Sequence, residues 1–264
     1  MRDAIDEATC LALHALNLTS HPTSTGRPLS AAAVERVTAL FERRIRERKP
    51  AAYLIGEVRL GGLAFHSDER AIVPRSYIAE LLCEYLAPWI ASRGKIRSAL
   101  DLCAGSGSLA VLLARAFPRA RVDAADISPV ALALARTNIS RHRLGRRVRT
   151  IRSDMFSALH GKRYDLIVSN PPYVRTAVMR RLPREYRWEP ALAMAGGRDG
   201  LDFVRRIIAN SRRHLNPGGL LVVEVGHARR RVEMAYPNSS FTWPETSGGC
   251  DCVFMLERDQ LPEG

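Results

Sequence analysis

The chain has 264 residues, 46% of them apolar and 25% charged, a balance that supports a packed core and excludes a disordered or fibrous chain. No stretch reaches the roughly 18–20 uninterrupted apolar residues of a membrane-spanning helix, and the opening residues Arg2, Asp3, Asp6 and Glu7 lack the basic-then-apolar order of a signal peptide. The expectation is a cytoplasmic chain of two domains whose net charge of +13 favours approach to polyanions.

The basic residues are nearly all arginines spread along the chain. The charge therefore fits an arginine-rich composition as well as contact with nucleic acid, and both readings stay open. The dense run Arg141–Arg152 fits a solvated helix end and strand equally. The five cysteines, Cys10, Cys83, Cys103, Cys250 and Cys252, form no Cys-x-x-Cys pair and none adjoins a His cluster at zinc-ligand spacing. Reduced thiols and no metal site are expected.

From Ala4 to about Arg48 apolar residues recur at helical spacing, as in Ala33, Val37, Leu40, Phe41 and Ile45. That spacing predicts a small helical domain over residues 1–50. The turn-rich stretch from His21 to Pro28 interrupts it, and Ser30 is placed to cap the helix that follows. Residues 51–76 read as a β-hairpin linker: Glu57–His66 and Ala71–Val73 are β-prone, around Gly61-Gly62 and the charged turn Asp68-Glu69-Arg70. A helix over Tyr77–Ile90 opens the second domain, residues 77–264, with an apolar side made by Ile78, Leu81, Leu82, Tyr85, Leu86 and Trp89.

Strand-like runs then alternate with helical segments. The runs are Ala99–Cys103, Arg121–Ala125, Val148–Ile151, Tyr164–Ser169 and Gly219–Val225; helices start near Ser106 and Ser128 and cover Leu201–Leu215. Strands joined by crossover helices lie parallel, so this order specifies an α/β, doubly wound sheet. Phe241–Trp243 and Cys252–Leu256 have no helix between them and add an antiparallel hairpin, which makes seven strands in all.

The first run passes into Cys103-Ala104-Gly105-Ser106-Gly107, a glycine turn against which a ligand can lie closely. Asp126 ends the second run roughly twenty residues later, where an acid can bind both ribose hydroxyls. Ala110 stands at the third glycine position of the dinucleotide pattern, which tolerates it, so spacing alone leaves a dinucleotide open. After the third run, Ser153-Asp154-Met155-Phe156 offers an acidic–apolar pair for an adenine ring. Taken in this order, the three features resemble the Rossmann-like methyltransferases that use S-adenosyl-L-methionine.

Asn170-Pro171-Pro172-Tyr173 follows the fourth run. Two consecutive prolines stiffen the backbone and remove two amide donors, leaving carbonyls free to accept. A planar NH2 group can give one hydrogen to the Asn170 side-chain oxygen and the other to the Pro171 carbonyl, while Tyr173 covers its face. Polarising both N–H bonds loosens the nitrogen lone pair for attack on a methyl group, with no metal required. Glutamine amides, adenine and cytosine all carry such a group.

The chain as a whole resembles the glutamine amide-nitrogen methyltransferases of the HemK/PrmC family. The resemblance is carried by Arg48–Gly56, Val73-Pro74-Arg75-Ser76, the Asp101 glycine loop, Asn170–Tyr173, Glu189–Leu192 and Gly197–Leu201. Ser76-Tyr77-Ile78-Ala79, Cys103 and Leu182–Pro190 place it nearest the PrmB type, which acts on large-subunit ribosomal protein three. The resemblance implies cofactor contact at Cys103, Ala104, Gly105, Ser106, Gly107, Asp126, Met155 and Asn170, and substrate contact at Asn170, Pro171, Pro172 and Tyr173. It departs from the family where Ala104 replaces a common Thr and Met155 a common Trp. The implied partner is a ribosomal protein docked by the helical domain, and the net charge of +13 adds the expectation that it is met on a precursor containing ribosomal RNA. Release factors as substrate, amino methylation of adenine or guanine in nucleic acid, and a cofactor-binding assembly factor that methylates little are the alternatives. Oligomeric state stays open.

Overall fold

The computed structural model describes residues 4–18 and 28–263. Most of the His21–Pro28 turn and residues 1–3 lie outside the described residues. Helices α1 (Ala4–Ala15) and α2 (Ala31–Glu47) pack together, and Ser30 caps α2 by accepting from the Ala33 amide at 3.2 Å. A short α3 (Ala51–Ile55) leads into an antiparallel hairpin, β1 (Glu57–Leu60) and β2 (Leu63–His66), closed by Gly61-Gly62. Ala71–Val73 pairs with nothing as a strand.

The helix expected over Tyr77–Ile90 is shorter: α4 spans Ile78–Cys83. Tyr85 and Leu86 turn to φ 58° and 56°, and Pro88 disfavours helical geometry at the residue before it. Then come β3 (Ser98–Leu102), α5 (Ser108–Ala116), β4 (Arg121–Asp126), α6 (Pro129–Arg141), β5 (Val148–Arg152) and β6 (Tyr164–Ser169). A looped region with α7 (Thr176–Met179) precedes α8 (Asp202–His214), β7 (Leu215–Glu224), α9 (Arg229–Ala235) and β8 (Val253–Glu257).

The main sheet has the order β5-β4-β3-β6-β7-β8, parallel except for β8. The place of a seventh strand is held by Thr242 alone, which exchanges two backbone hydrogen bonds with Met255. Pro237 before it and Pro244 after it limit how far that pairing extends.

Side chains alternate between two buried faces. Leu166, Val168, Val222 and Met255 join α4, α5 and α6 on one side; Ile167, Leu221, Val223 and Phe254 join α8 and α9 on the other. With both faces covered the strands read as near-continuous apolar runs. Each such side chain stabilises the fold by about 1.5–3 kcal/mol. The chain leaves β3 towards β4 and β5, then returns to β6 on the other side of β3. That reversal opens a crevice at the carboxyl ends of β3 and β6, the usual ligand position in this architecture. No described helix is long and apolar enough to cross a membrane.

Candidate active site

A cavity of about 230 Å³ opens in that crevice. Each strand end contributes to its wall: Leu102, Cys103 and Gly105 after β3, Asp126 to Ser128 after β4, Ser153 to Met155 after β5, Asn170 and Pro172 after β6. The sequence candidates Cys103, Gly105, Asp126, Met155, Asn170 and Pro172 are thus brought together. Ala104, Ser106 and Gly107 lie beneath the turn instead. The Ala104 amide donates to Ala125 at 3.0 Å, and the Ser106 carbonyl accepts from Asn138 Nδ2 at 3.0 Å. Gly107 sits so close to α6 that a Cβ there would stand 2.9 Å from that of Ala135.

Asp126 Oδ2 accepts from the Gly105 amide and Oδ1 from the Ser128 amide, both at 2.8 Å. Burial raises its pKa, and these two bonds oppose the rise. Each carboxylate oxygen keeps a lone pair for a further donor. Deeper in β3, Asp101 is 1% exposed; Oδ2 accepts from the Ala110 amide at 2.8 Å, while Oδ1 has no partner among the described residues. Burial pushes its pKa up to about 7.

Two wall residues, Cys103 and Met155, hold left-handed backbones at φ 64° and 51°, a strain of roughly 1–3 kcal/mol each for non-glycine residues. Their sulfur atoms meet at 3.9 Å. Phe156, next to Met155, does not line the cavity and stacks on His214 at 4.7 Å.

Residues that sequence reasoning passed over complete the wall. Arg70, Ala71 and Ile72 come from the linker, Pro190, Leu192 and Ala193 from the long loop, Phe203 and Arg206 from α8. Arg206 pairs with Asp154 at 2.8 Å. Only the acid of that pair was visible beforehand, because its cation lies 52 positions away.

At the mouth stands the bend Asn170–Tyr173. Asn170 Nδ2 donates to the Arg75 carbonyl at 3.3 Å, which fixes the amide plane and leaves Oδ1 as the free acceptor. Among the described residues nothing donates to the Pro171 carbonyl. Pro171 and Tyr173 flank the lining residues Asn170 and Pro172 without lining the cavity themselves. The Tyr173 ring lies against Gly226, where a Cβ would come within 2.9 Å of it, and its hydroxyl donates to Glu224 Oε1 at 3.4 Å.

Glu224, 2% exposed, also accepts from Ser76 Oγ at 2.6 Å and the Tyr77 amide at 2.9 Å; burial pushes its pKa up to about 7. Arg75 holds Glu189 through a bidentate pair at 2.6 and 2.7 Å. The stretch Arg75-Ser76 therefore braces the bend, the long loop and the end of β7 together. Gly196 closes over the bend, its Cα so near that a Cβ would stand 2.6 Å from the Tyr173 Cα.

Helix α2 and the residue after it reach the same region. Glu185 accepts ion pairs from Arg48 at 2.8 Å and Arg44 at 3.3 Å, and Trp188 Nε1 donates to the Glu47 carbonyl at 3.2 Å.

Residues 79–182 match the family model of the Methyltransferase small domain. A ribosomal protein uL3 glutamine methyltransferase of Bordetella pertussis is 48% identical, the match covering 98% of this chain and 88% of that relative. The protein of the same name from Neisseria meningitidis serogroup B is also 48% identical, with 98% and 86% covered. The chain belongs to this glutamine methyltransferase family.

Among solved structures, a 16S rRNA N2 G1207 methyltransferase of T. thermophilus, in complex with AdoMet and guanosine, aligns with TM-score 0.53 at 19% identity over 76% of this chain and 49% of that one. A methyltransferase from Pyrococcus furiosus aligns with TM-score 0.54 at 18% identity, over 85% and 98%. These share the Rossmann-like fold. Family membership and fold make the chain a methyltransferase that uses S-adenosyl-L-methionine. The lining fits that cofactor: a half-buried acid placed for hydroxyls and apolar walls for a base.

Proposed function

We propose that the protein transfers a methyl group from S-adenosyl-L-methionine to the side-chain amide nitrogen of a glutamine in ribosomal protein uL3, in the cytoplasm. The observation that carries this reading is the Asn170 amide, tied through Nδ2 to Arg75 and offering Oδ1 at the cavity mouth. When bound, the cofactor supplies an electrophilic methyl group on sulfur. Asp126 holds the ribose hydroxyls, with Cys103, Gly105 and Met155 lining the nucleoside site. Asn170 Oδ1 and the Pro171 carbonyl take the two hydrogens of the glutamine amide, which orients its plane and draws its lone pair out of conjugation. Pro172 keeps that bend rigid, and Tyr173, braced by Glu224 and Gly226, backs it.

Residues 1–50 serve as the docking domain, 51–76 as the linker and 77–264 as the transfer domain. Docking is supported by exposed apolar residues on the first two helices: Ile5 is 76%, Val34 49% and Ile45 73% exposed. Ribosomal proteins are basic, so a carrier of +13 requires an anionic footing, and ribosomal RNA in a precursor supplies it. An open cleft along β4 and β5 is lined by Arg121, Arg136, Arg143, Arg146, Arg149 and Arg163 among others.

The reading is tested by incubating the enzyme with labelled cofactor and ribosomal precursors from a strain lacking it, then locating the label by mass spectrometry. Methyl on a uL3 glutamine is expected; label in RNA alone would overturn the assignment. Binding to uL3 that does not tighten when RNA is added would remove the RNA footing and leave the chemistry standing.

A further inference from the structure

Outside the active site, three side chains from two separated segments converge at the end of the sheet. His227 follows β7; Asp251 and Cys252 precede β8. Cys252 Sγ lies 3.6 Å from His227 Nδ1 and 3.5 Å from Asp251 Oδ1, and His227 Nδ1 lies 3.1 Å from both carboxylate oxygens. The cysteine is wholly buried, whereas the imidazole is open to solvent.

These lengths match a metal-binding triangle. Zinc bonds sulfur at about 2.3 Å and imidazole or carboxylate at about 2.0–2.2 Å, so the corners of a tetrahedral site stand roughly 3.3–3.6 Å apart. All three edges fall within a few tenths of an ångström of that range. Without metal, the single Nδ1 proton goes to the carboxylate and the thiol donates to the Gly248 carbonyl at 3.3 Å, so no bond joins the sulfur to the imidazole although they stand 3.6 Å apart. A Cys–His–Asp nucleophile is also excluded by geometry, because thiol and carboxylate approach the same ring nitrogen; a relay needs one on each.

We propose that His227 Nδ1, Asp251 and Cys252 Sγ bind a zinc-type divalent cation, with the fourth position open to solvent on the histidine side. Binding releases the thiol proton, so the ligand is the thiolate. The ion staples the end of β7 to the start of β8. Gly226, next to His227, supports the Tyr173 ring, so the staple also stiffens the wall behind the bend. Sequence spacing hides the site, because 25 positions separate His227 from Cys252.

The test is titration of the full-length, metal-stripped protein with cobalt(II) and zinc. One equivalent of cobalt is expected to produce a near-ultraviolet sulfur-to-cobalt band that Cys252→Ser abolishes and that Cys10→Ser, Cys83→Ser and Cys250→Ser retain. As Cys252 is buried, two further variants guard against misfolding. His227→Gln and Asp251→Asn should each weaken zinc by at least about tenfold in chelator competition. Zinc should also raise the thermal midpoint of the native protein but not of the variants. Absence of stoichiometric binding at micromolar metal would overturn the proposal. So would a cobalt band that survives in Cys252→Ser, or zinc affinity indifferent to His227 and Asp251.

Discussion

The cavity around Asp126 and the bend at Asn170–Tyr173 meet at the end of β6, yet they are held in different ways. The nucleoside side of the cavity is built from strand ends, each supplying its own residue beside its own turn, so the parallel sheet positions that side while linker, loop and α8 close the rest. The bend is held from outside: by the Arg75 carbonyl, by Glu224 across the sheet, and by Gly196 lying on its backbone. A site made of strand ends tolerates change one wall at a time. A site braced by remote segments fails when any brace moves.

Substitution separates the two. Asn170→Ala removes the side-chain acceptor, and a lost transition-state hydrogen bond of this kind costs about 2.7–4 kcal/mol, or about 10²–10³ in kcat. Cofactor affinity, read by calorimetry, should fall much less, since Asn170 is one of many residues on the cavity wall; equal losses in both would merge the regions into one. Gly196→Ala pushes a methyl group into the Tyr173 backbone, an overpacking of about 1–3 kcal/mol. Methyl transfer should fall about tenfold or more while the apo protein keeps its fold by circular dichroism. Asp126→Asn acts on the cavity alone and should weaken cofactor binding by about tenfold, with kcat at saturating cofactor nearly unchanged.

The smallest effect is in pH dependence. Asp101 is held protonated up to about 7 by burial, against an ordinary carboxylate range near 4. The folded state binds this proton more tightly than the unfolded one, so the contribution is full below the unfolded pKa and is lost as pH rises through about 7. Glu224, also pushed up to about 7, has the same sign. Both acids make the thermal midpoint fall between pH 5 and 8, and Asp101→Asn should make that fall smaller than in the native protein. An unchanged slope would mean that Asp101 is ionised in the fold.

Much of the cavity was legible because its signals are local. Apolar runs marked β3 to β6, glycines marked the turn after β3, and Asp126 fell at the end of β4 as its spacing required. Helix α4 was overextended because periodicity continued through Tyr85 and Leu86 while the backbone turned left-handed there ahead of Pro88. Arg70, Leu192, Phe203 and Arg206 carry no pattern that places them at a ligand; only the packing of linker, loop and α8 against strand ends brings them there. Phe156 shows the converse, since an adjacent apolar pair cannot reveal which member faces inward. The convergence of His227 with Asp251 and Cys252 was invisible for the same reason as Arg206: pairing of β7 with β8 creates the neighbourhood.

The position of Arg75-Ser76 bears on how far this architecture can be taken apart. By sequence these residues belong to the linker with Arg70, Ala71 and Ile72, yet those three form part of the cavity wall and Arg75 supplies the carbonyl that meets Asn170 Nδ2. A border at residue 76 therefore runs through the reaction chamber rather than beside it. Cutting the chain there would take Arg70, Ala71 and Ile72 from the cavity wall and the Arg75 carbonyl from Asn170 in one stroke.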